Sequence, residues 1–184
     1  MKRIILSVIL ILFSFFQLNS QITEGNWMLG GSASISDTKG LVAFNSIALN
    51  SVTEYQIIPT VGYFLKDKFV IGLKPSFSYS TNNSGTYGST FRIGPFSRYY
   101  FLDSEKIFNL FAEGGYTYGI MYDHGNVSTR FNTFSISGGS VLYFNSSVGL
   151  EFTLGYSRVN AIAYPGSTRF LRFEIGFQFH LEKN

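Results

Sequence analysis

The chain reads as an all-β protein: an eight-stranded antiparallel up-and-down β-barrel that crosses a lipid bilayer. Three observations predict this. The first is strict alternation. Phe69, Ile71, Leu73, Pro75, Phe77 and Tyr79 fall on one phase, and Val70, Gly72, Lys74, Ser76, Ser78 and Ser80 on the other. Neighbouring side chains of a strand point to opposite faces, so such a segment has one apolar and one polar face. The second is composition. Aromatic residues make up 18% of the chain and charged residues only 14%, against about 25% charged in an ordinary globular domain. The third is an alternation of short and long connections between the amphipathic segments, as in barrels that span membranes.

Residues 1–20 read as a cleavable signal peptide. Lys2 and Arg3 precede an apolar run over residues 4–16, broken only by Ser7 and Ser14. That run is about thirteen residues, short of the ~20 a spanning helix needs. Cleavage is expected between Ser20 and Gln21, leaving residues 21–184 as one barrel domain of an exported protein.

Eight strands follow. Strand one covers residues 26–36 with Trp27, Leu29, Ala33 and Ile35 on the outer phase. Strand two covers 53–65, with Tyr55, Ile57, Pro59, Val61 and Tyr63 outside and Ile58 and Phe64 on the other face. Strand three is 69–80. Strand four is 90–102, with Phe91, Ile93, Pro95, Tyr99 and Phe101 outside. Strand five is 107–122, strand six 131–144, strand seven 148–159 and strand eight 170–181. Tight polar turns are expected at Lys66-Asp67-Lys68, Asp103-Ser104-Glu105-Lys106 and Asn145-Ser146-Ser147. Longer loops are expected over 37–52, 81–89, 123–130 and 160–169. An even number of strands returns both chain ends to the short-turn side.

A soluble eight-stranded barrel of lipocalin type would alternate with its apolar phase inside. Volume and solvation both oppose that arrangement here. Eight strands enclose just enough room for side chains or one small ligand, too little for about five large residues per strand. A water-facing exterior would carry many Lys and Glu, whereas the polar phase carries Gly72, Gly94, Gly115, Gly119, Gly139, Gly149, Gly155 and Gly176. The apolar phase therefore faces acyl chains, and the sheet closes because backbone polar groups in hydrocarbon must all be paired. Phe69, Phe101, Phe108, Phe144, Phe177 and Phe179 near the short turns, and Tyr79, Phe91, Tyr122 and Tyr156 near the long loops, fall where interfacial aromatic girdles belong.

With the polar phase inward, Lys74, Arg92, Arg98, Glu113, Glu151, Arg172 and Glu174 meet in the lumen, most near mid-height. Arg98 and Glu113 lie on adjacent strands at similar height; Arg172 and Glu174 share a strand beside Glu151. Four bases against three acids nearly balance, as enclosed charges must. The expected arrangement is a salt-bridged plug, the alternative a narrow wet gap lined by the same charges.

Several function classes find no support. Cysteine is absent, which excludes disulfides, thiolate metal sites and a lipid anchor on a Cys. The net charge of +3 comes without a basic block, which argues against nucleic acid. No metal-ligand spacing, phosphate loop or nucleotide motif is present, and no cofactor is expected. A hydrolase or acyltransferase needs a positioned nucleophile, base and orienting acid. His124 beside Asp123, with Ser128 and Ser167 as loop hydroxyls, and His180 in the last strand offer no spacing that demands such a site, so no enzyme is expected.

The final strand, Arg172-Phe173-Glu174-Ile175-Gly176-Phe177-Gln178-Phe179, is similar to the terminal signal read by the barrel-assembly machinery. With the N-terminal segment, the amphipathic strands and the loop alternation, the chain resembles the small outer-membrane β-barrel family of the OmpA/OmpX-like eight-stranded kind found in Gram-negative bacteria. The resemblance covers residues 21–184. It implies residence in the outer membrane, contact with outer-membrane lipid, insertion by the assembly machinery, and a monomer with short turns on the periplasmic side. The resulting expectation is a closed or nearly closed barrel with a structural or surface-interaction role carried by its extracellular loops, which would meet a protein or other surface ligand. A narrow pore or small-ligand transporter and a lipid-modifying enzyme are the alternatives. The apolar 37–52 loop, with Leu41, Val42, Phe44, Ile47 and Leu49, either extends the strands as an exposed edge or folds over the barrel mouth.

Overall fold

A computed structural model describes residues 22–42, 48–82, 85, 87–104, 106–123, 126–162 and 167–181. The expected signal segment and its cleavage point lie outside these residues. Among the described residues there are ten hydrogen-bonded strands: β1 (Trp27–Val42), β2 (Ala48–Lys66), β3 (Phe69–Leu73), β4 (Ser76–Asn82), β5 (Tyr87–Ile93), β6 (Pro95–Tyr100), β7 (Phe108–Asp123), β8 (Asn126–Tyr143), β9 (Val148–Ala161) and β10 (Ser167–Leu181).

The ten make eight transmembrane spans. β3 and β4 share one register against β2, and β5 and β6 share one against β7, so each pair is a single span with a short interruption. The interruptions, at Lys74-Pro75 and at Gly94, lie side by side, where the Lys74 amide donates to the Gly94 carbonyl at 3.0 Å. Proline lacks the N–H that a ladder needs, which ends pairing at Pro75. At Gly94 the backbone of Tyr116 comes so close that a Cβ would stand 1.9 Å from its carbonyl oxygen. Only glycine tolerates this approach.

Every span pairs antiparallel with the next, and β10 pairs with β1 from Trp27↔Leu181 to Ala33↔Ile175, which closes the sheet. Moving from partner to partner, the circuit runs Trp27, Tyr63, Ile71, Ser97, Gly114, Ile136, Tyr156, Leu171. Leu171 lies ten residues along β10 from Leu181, the residue that pairs with Trp27. A shear of ten on eight strands tilts them by about 43° to the axis. Above Ala33 the ladder of β1 continues with β2 alone.

The outer phase is the one the alternation predicts. Ile35, Leu171 and Phe173 are 75%, 74% and 58% exposed, and Phe77, Tyr79, Leu154, Ile175 and Phe177 share their face. A face this apolar needs hydrocarbon around it.

Besides the expected small and charged residues, the inner phase carries large rings. Phe96, Phe111, Phe131 and Tyr143 point inward and are buried. Each pairs across the ladder with a glycine: Phe96 with Gly72 and Gly115, Phe111 with Gly139, Phe131 with Gly119, Tyr143 with Gly149. A Cβ at Gly139 would stand 2.5 Å from the Phe111 ring. The inward glycines are thus the sockets in which inward rings lie.

Of the two readings of the 37–52 segment, its described residues show the extension of the strands. The 37–52 segment is mostly strand: β1 and β2 stay paired out to Val42↔Ala48. Likewise β7 and β8 stay paired to Asp123↔Asn126. Strand pairing therefore continues past the segments needed to cross the bilayer.

Candidate functional site: the lumen

The lumen is layered along the axis. At the short-turn end Ile22, Met28, Phe64, Val70, Tyr100, Phe111, Val141 and Tyr143 form an apolar floor. The chain enters beneath it: Gly25 N donates to Phe64 O at 2.9 Å and Lys68 N to Ile22 O at 2.9 Å, which leaves Ile22 buried. His180 packs between Phe64 and Tyr143, with ring centroids 5.4 and 5.6 Å away.

Above the floor lies the charge cluster, built around Arg98, whose side chain is 2% exposed. Because β6 and β7 pair Arg98 with Glu113 directly, its Nε donates to Glu113 Oε2 at 2.9 Å. The guanidinium also forks onto Glu151, with Nη1 donating to Oε2 at 2.6 Å and Nη2 to Oε1 at 3.0 Å. Its Cζ lies 4.0 Å from the Phe111 ring centre. Lys74 Nζ donates to the free Glu113 oxygen and lies over Phe96. Nη1 of Arg98 further reaches Tyr100 Oη at 3.2 Å, and Tyr100 Oη donates to Gln178 Oε1 at 2.9 Å. Gln178 Nε2 then donates to Tyr143 Oη at 3.1 Å. Two bases meet two acids here, every carboxylate oxygen is engaged, and the network spans the β3–β4 interruption, β6, β7, β8, β9 and β10. Such a cluster repays part of its desolvation only through this many simultaneous bonds.

A cavity of about 120 Å³ adjoins the cluster, lined by its four charges and also by Arg92, Arg172 and Glu174. Contacts of the last three are looser. Arg92 Nη2 stands 3.5 Å from Glu54 Oε1 and 3.3 Å from Ser78 Oγ, and its Nε has no partner among the described residues. Arg172 stands 3.8 Å from Glu174, which accepts from Ser32 Oγ at 3.0 Å.

The seven charges therefore divide. Lys74, Arg98, Glu113 and Glu151 form one tight group; Arg92, Arg172 and Glu174 line the same cavity with longer contacts of 3.5 and 3.8 Å. The sequence suggested Glu151 beside Arg172, whereas Arg98 takes it from across the lumen. Glu54, Tyr100, Tyr143 and Gln178 were missed. Their signal was inward phase shared with Gln56, Arg98, Val141 and His180, which strand register alone could convert into contact. His124 lies outside the described residues, and among those residues no group of His, Asp and Glu is arranged to hold a metal.

The closed sheet and its shear define a class: small β-barrels of outer-membrane type, whose fold this chain shares. Particular structures with that fold are Neisserial surface protein A (TM-score 0.60, 13% identity, 85% of this chain and 97% of the other), the outer membrane protein OprG of Pseudomonas aeruginosa (0.60, 13%, 89% and 99%), and the N-terminal β-barrel domain of OprF from the same organism (0.50, 12%, 86% and 98%). No protein-family model and no curated protein sequence matches the chain.

Proposed function

We propose that the chain is an integral outer-membrane barrel that does not conduct, acts as a monomer, and serves a structural or surface-interaction role through its extracellular ends. One observation carries this reading: the lumen is filled at two levels, by the Arg98–Glu113–Glu151–Lys74 cluster and by the apolar floor. Eight strands leave no second path around such fillings. The apolar outer phase fits membrane residence, and the fold is that of proteins described as outer-membrane proteins. The paired extension of β1 and β2 to Val42↔Ala48 gives the extracellular side a projecting hairpin with backbone to offer a partner strand.

Planar-bilayer recording tests the closed lumen. The reading requires no stable conductance step from the purified barrel; a large, reproducible step refutes it. Replacing residues 37–52 by a two-residue turn tests the hairpin: surface binding by whole cells falls if the hairpin carries it and stays unchanged if it does not.

A further inference from the structure

Three arginines stand on the outer wall, away from the lumen. Arg158 of β9 pairs directly with Arg169 of β10, while Arg130 lies on the neighbouring β8 four residues beyond Phe134, the partner of Arg158. All three are exposed. Arg158 and Arg169 share the outward phase of Tyr156 and Leu171, which pair with each other in the row toward the bilayer centre. None of the three side chains has a hydrogen bond or ion pair among the described residues, and the acids of β9 and β10, Glu151 and Glu174, face the lumen.

Like charges directly opposite across a ladder repel, with Cβ atoms only about 5 Å apart. Position gives them a counter-ion. From Val148 to Arg158 the axial rise is about 24 Å at the tilt found above, close to the ~25 Å height of a barrel's apolar band. Between those ends the outward residues of β9 are Leu150, Phe152, Leu154 and Tyr156, all uncharged. The arginines therefore mark the upper edge of the band, at the depth of lipid headgroups. A planar guanidinium donates in parallel pairs to phosphate oxygens, and two on adjacent strands form a clamp for one phosphate.

We propose that Arg158 and Arg169 form a binding site on the outer wall for the phosphate of a lipid headgroup in the leaflet at the long-loop end. The acyl chains of that lipid lie along Tyr156, Leu154, Leu171 and Phe173 below the clamp. The site rests on the bilayer orientation of the barrel but not on its closed lumen or surface role.

The probes are phosphatidic acid, which carries a phosphate monoester, and diacylglycerol, which lacks it. Each is mixed into phosphatidylcholine micelles holding the full barrel, and retained lipids are counted by native mass spectrometry. Wild type retains phosphatidic acid roughly tenfold or more over diacylglycerol. R158Q/R169Q brings the ratio near one, and K106Q, an exposed cation at the opposite end, leaves it unchanged. Equal retention of the two probes by wild type overturns the site, as does undiminished preference in R158Q/R169Q. Single R169Q, which should lose severalfold, replaces the double variant if that does not fold. Heat-modifiable gel migration of wild type reads insertion separately: a barrel that inserts without preference refutes the site alone, and a chain that fails to insert refutes the bilayer orientation.

Discussion

At the scale of the residue, Arg98 holds the most. Its guanidinium serves two carboxylates, a tyrosine and a glutamine while almost wholly buried. Arg98→Met leaves Glu113 and Glu151 with Lys74 as their only base, and should lower folding stability by about 3–5 kcal/mol, the usual cost of orphaning an enclosed charge. Arg172→Gln, which loses a longer contact beside a cavity, should cost about 0–1 kcal/mol. Urea midpoints of folding into vesicles distinguish the two; equal losses would contradict the division of the lumen into a tight and a loose group. Outside the bilayer, the Lys68–Asp103 pair at 2.6 Å ties two short turns together. Its hydrogen bond and charge hold the Asp103 carboxyl below its ordinary range and raise Lys68. A depressed carboxylate contributes stability above its unfolded pKa and loses it as pH falls through the lower folded value, so any contribution disappears on the acid side. Lys68→Met should return Asp103 to the ordinary carboxylate range in an NMR titration; no movement would refute the pairing.

At the scale of the element, the strands obey two rules, and the sequence displayed only one. Alternation was plain: the outer phase of every span, from Trp27 to Leu181, is the one the apolar residues mark. The breaks at Lys74-Pro75 and Gly94 were not legible, because each depends on what the neighbouring span does at the same height. The inward rings were hidden for the same reason. Phe111 looks like a violation of the pattern until Gly139 is known to be its partner. The charge cluster was half legible: the Arg98–Glu113 contact follows from adjacent strands, while Glu151 reaches Arg98 only because closure brings β9 across the lumen. Gly94→Ala should cost about 1–3 kcal/mol or more, because the added methyl meets backbone that cannot yield. Gly114→Ala, with open space around its Cβ position, should change stability by less than about 0.5 kcal/mol. Matched denaturation curves of the two variants check this; a neutral Gly94→Ala would mean that the β5–β6 junction relaxes freely.

At the scale of the whole molecule, one orientation organises everything: large apolar side chains face acyl chains, while charges, rings and glycines fill the lumen. Closure with a shear of ten fixes which strands meet across that lumen and hence which charges pair. The chain contains no cysteine, so single spin labels can be introduced without background. The most direct test places one label at Phe173 and another at Glu174 in vesicle-inserted barrel and compares collisions with oxygen and with a water-soluble nickel chelate. The account predicts high oxygen and negligible nickel access at Phe173→Cys, with the oxygen preference lost at Glu174→Cys. Strong nickel access at Phe173→Cys with oxygen preference at Glu174→Cys would contradict it.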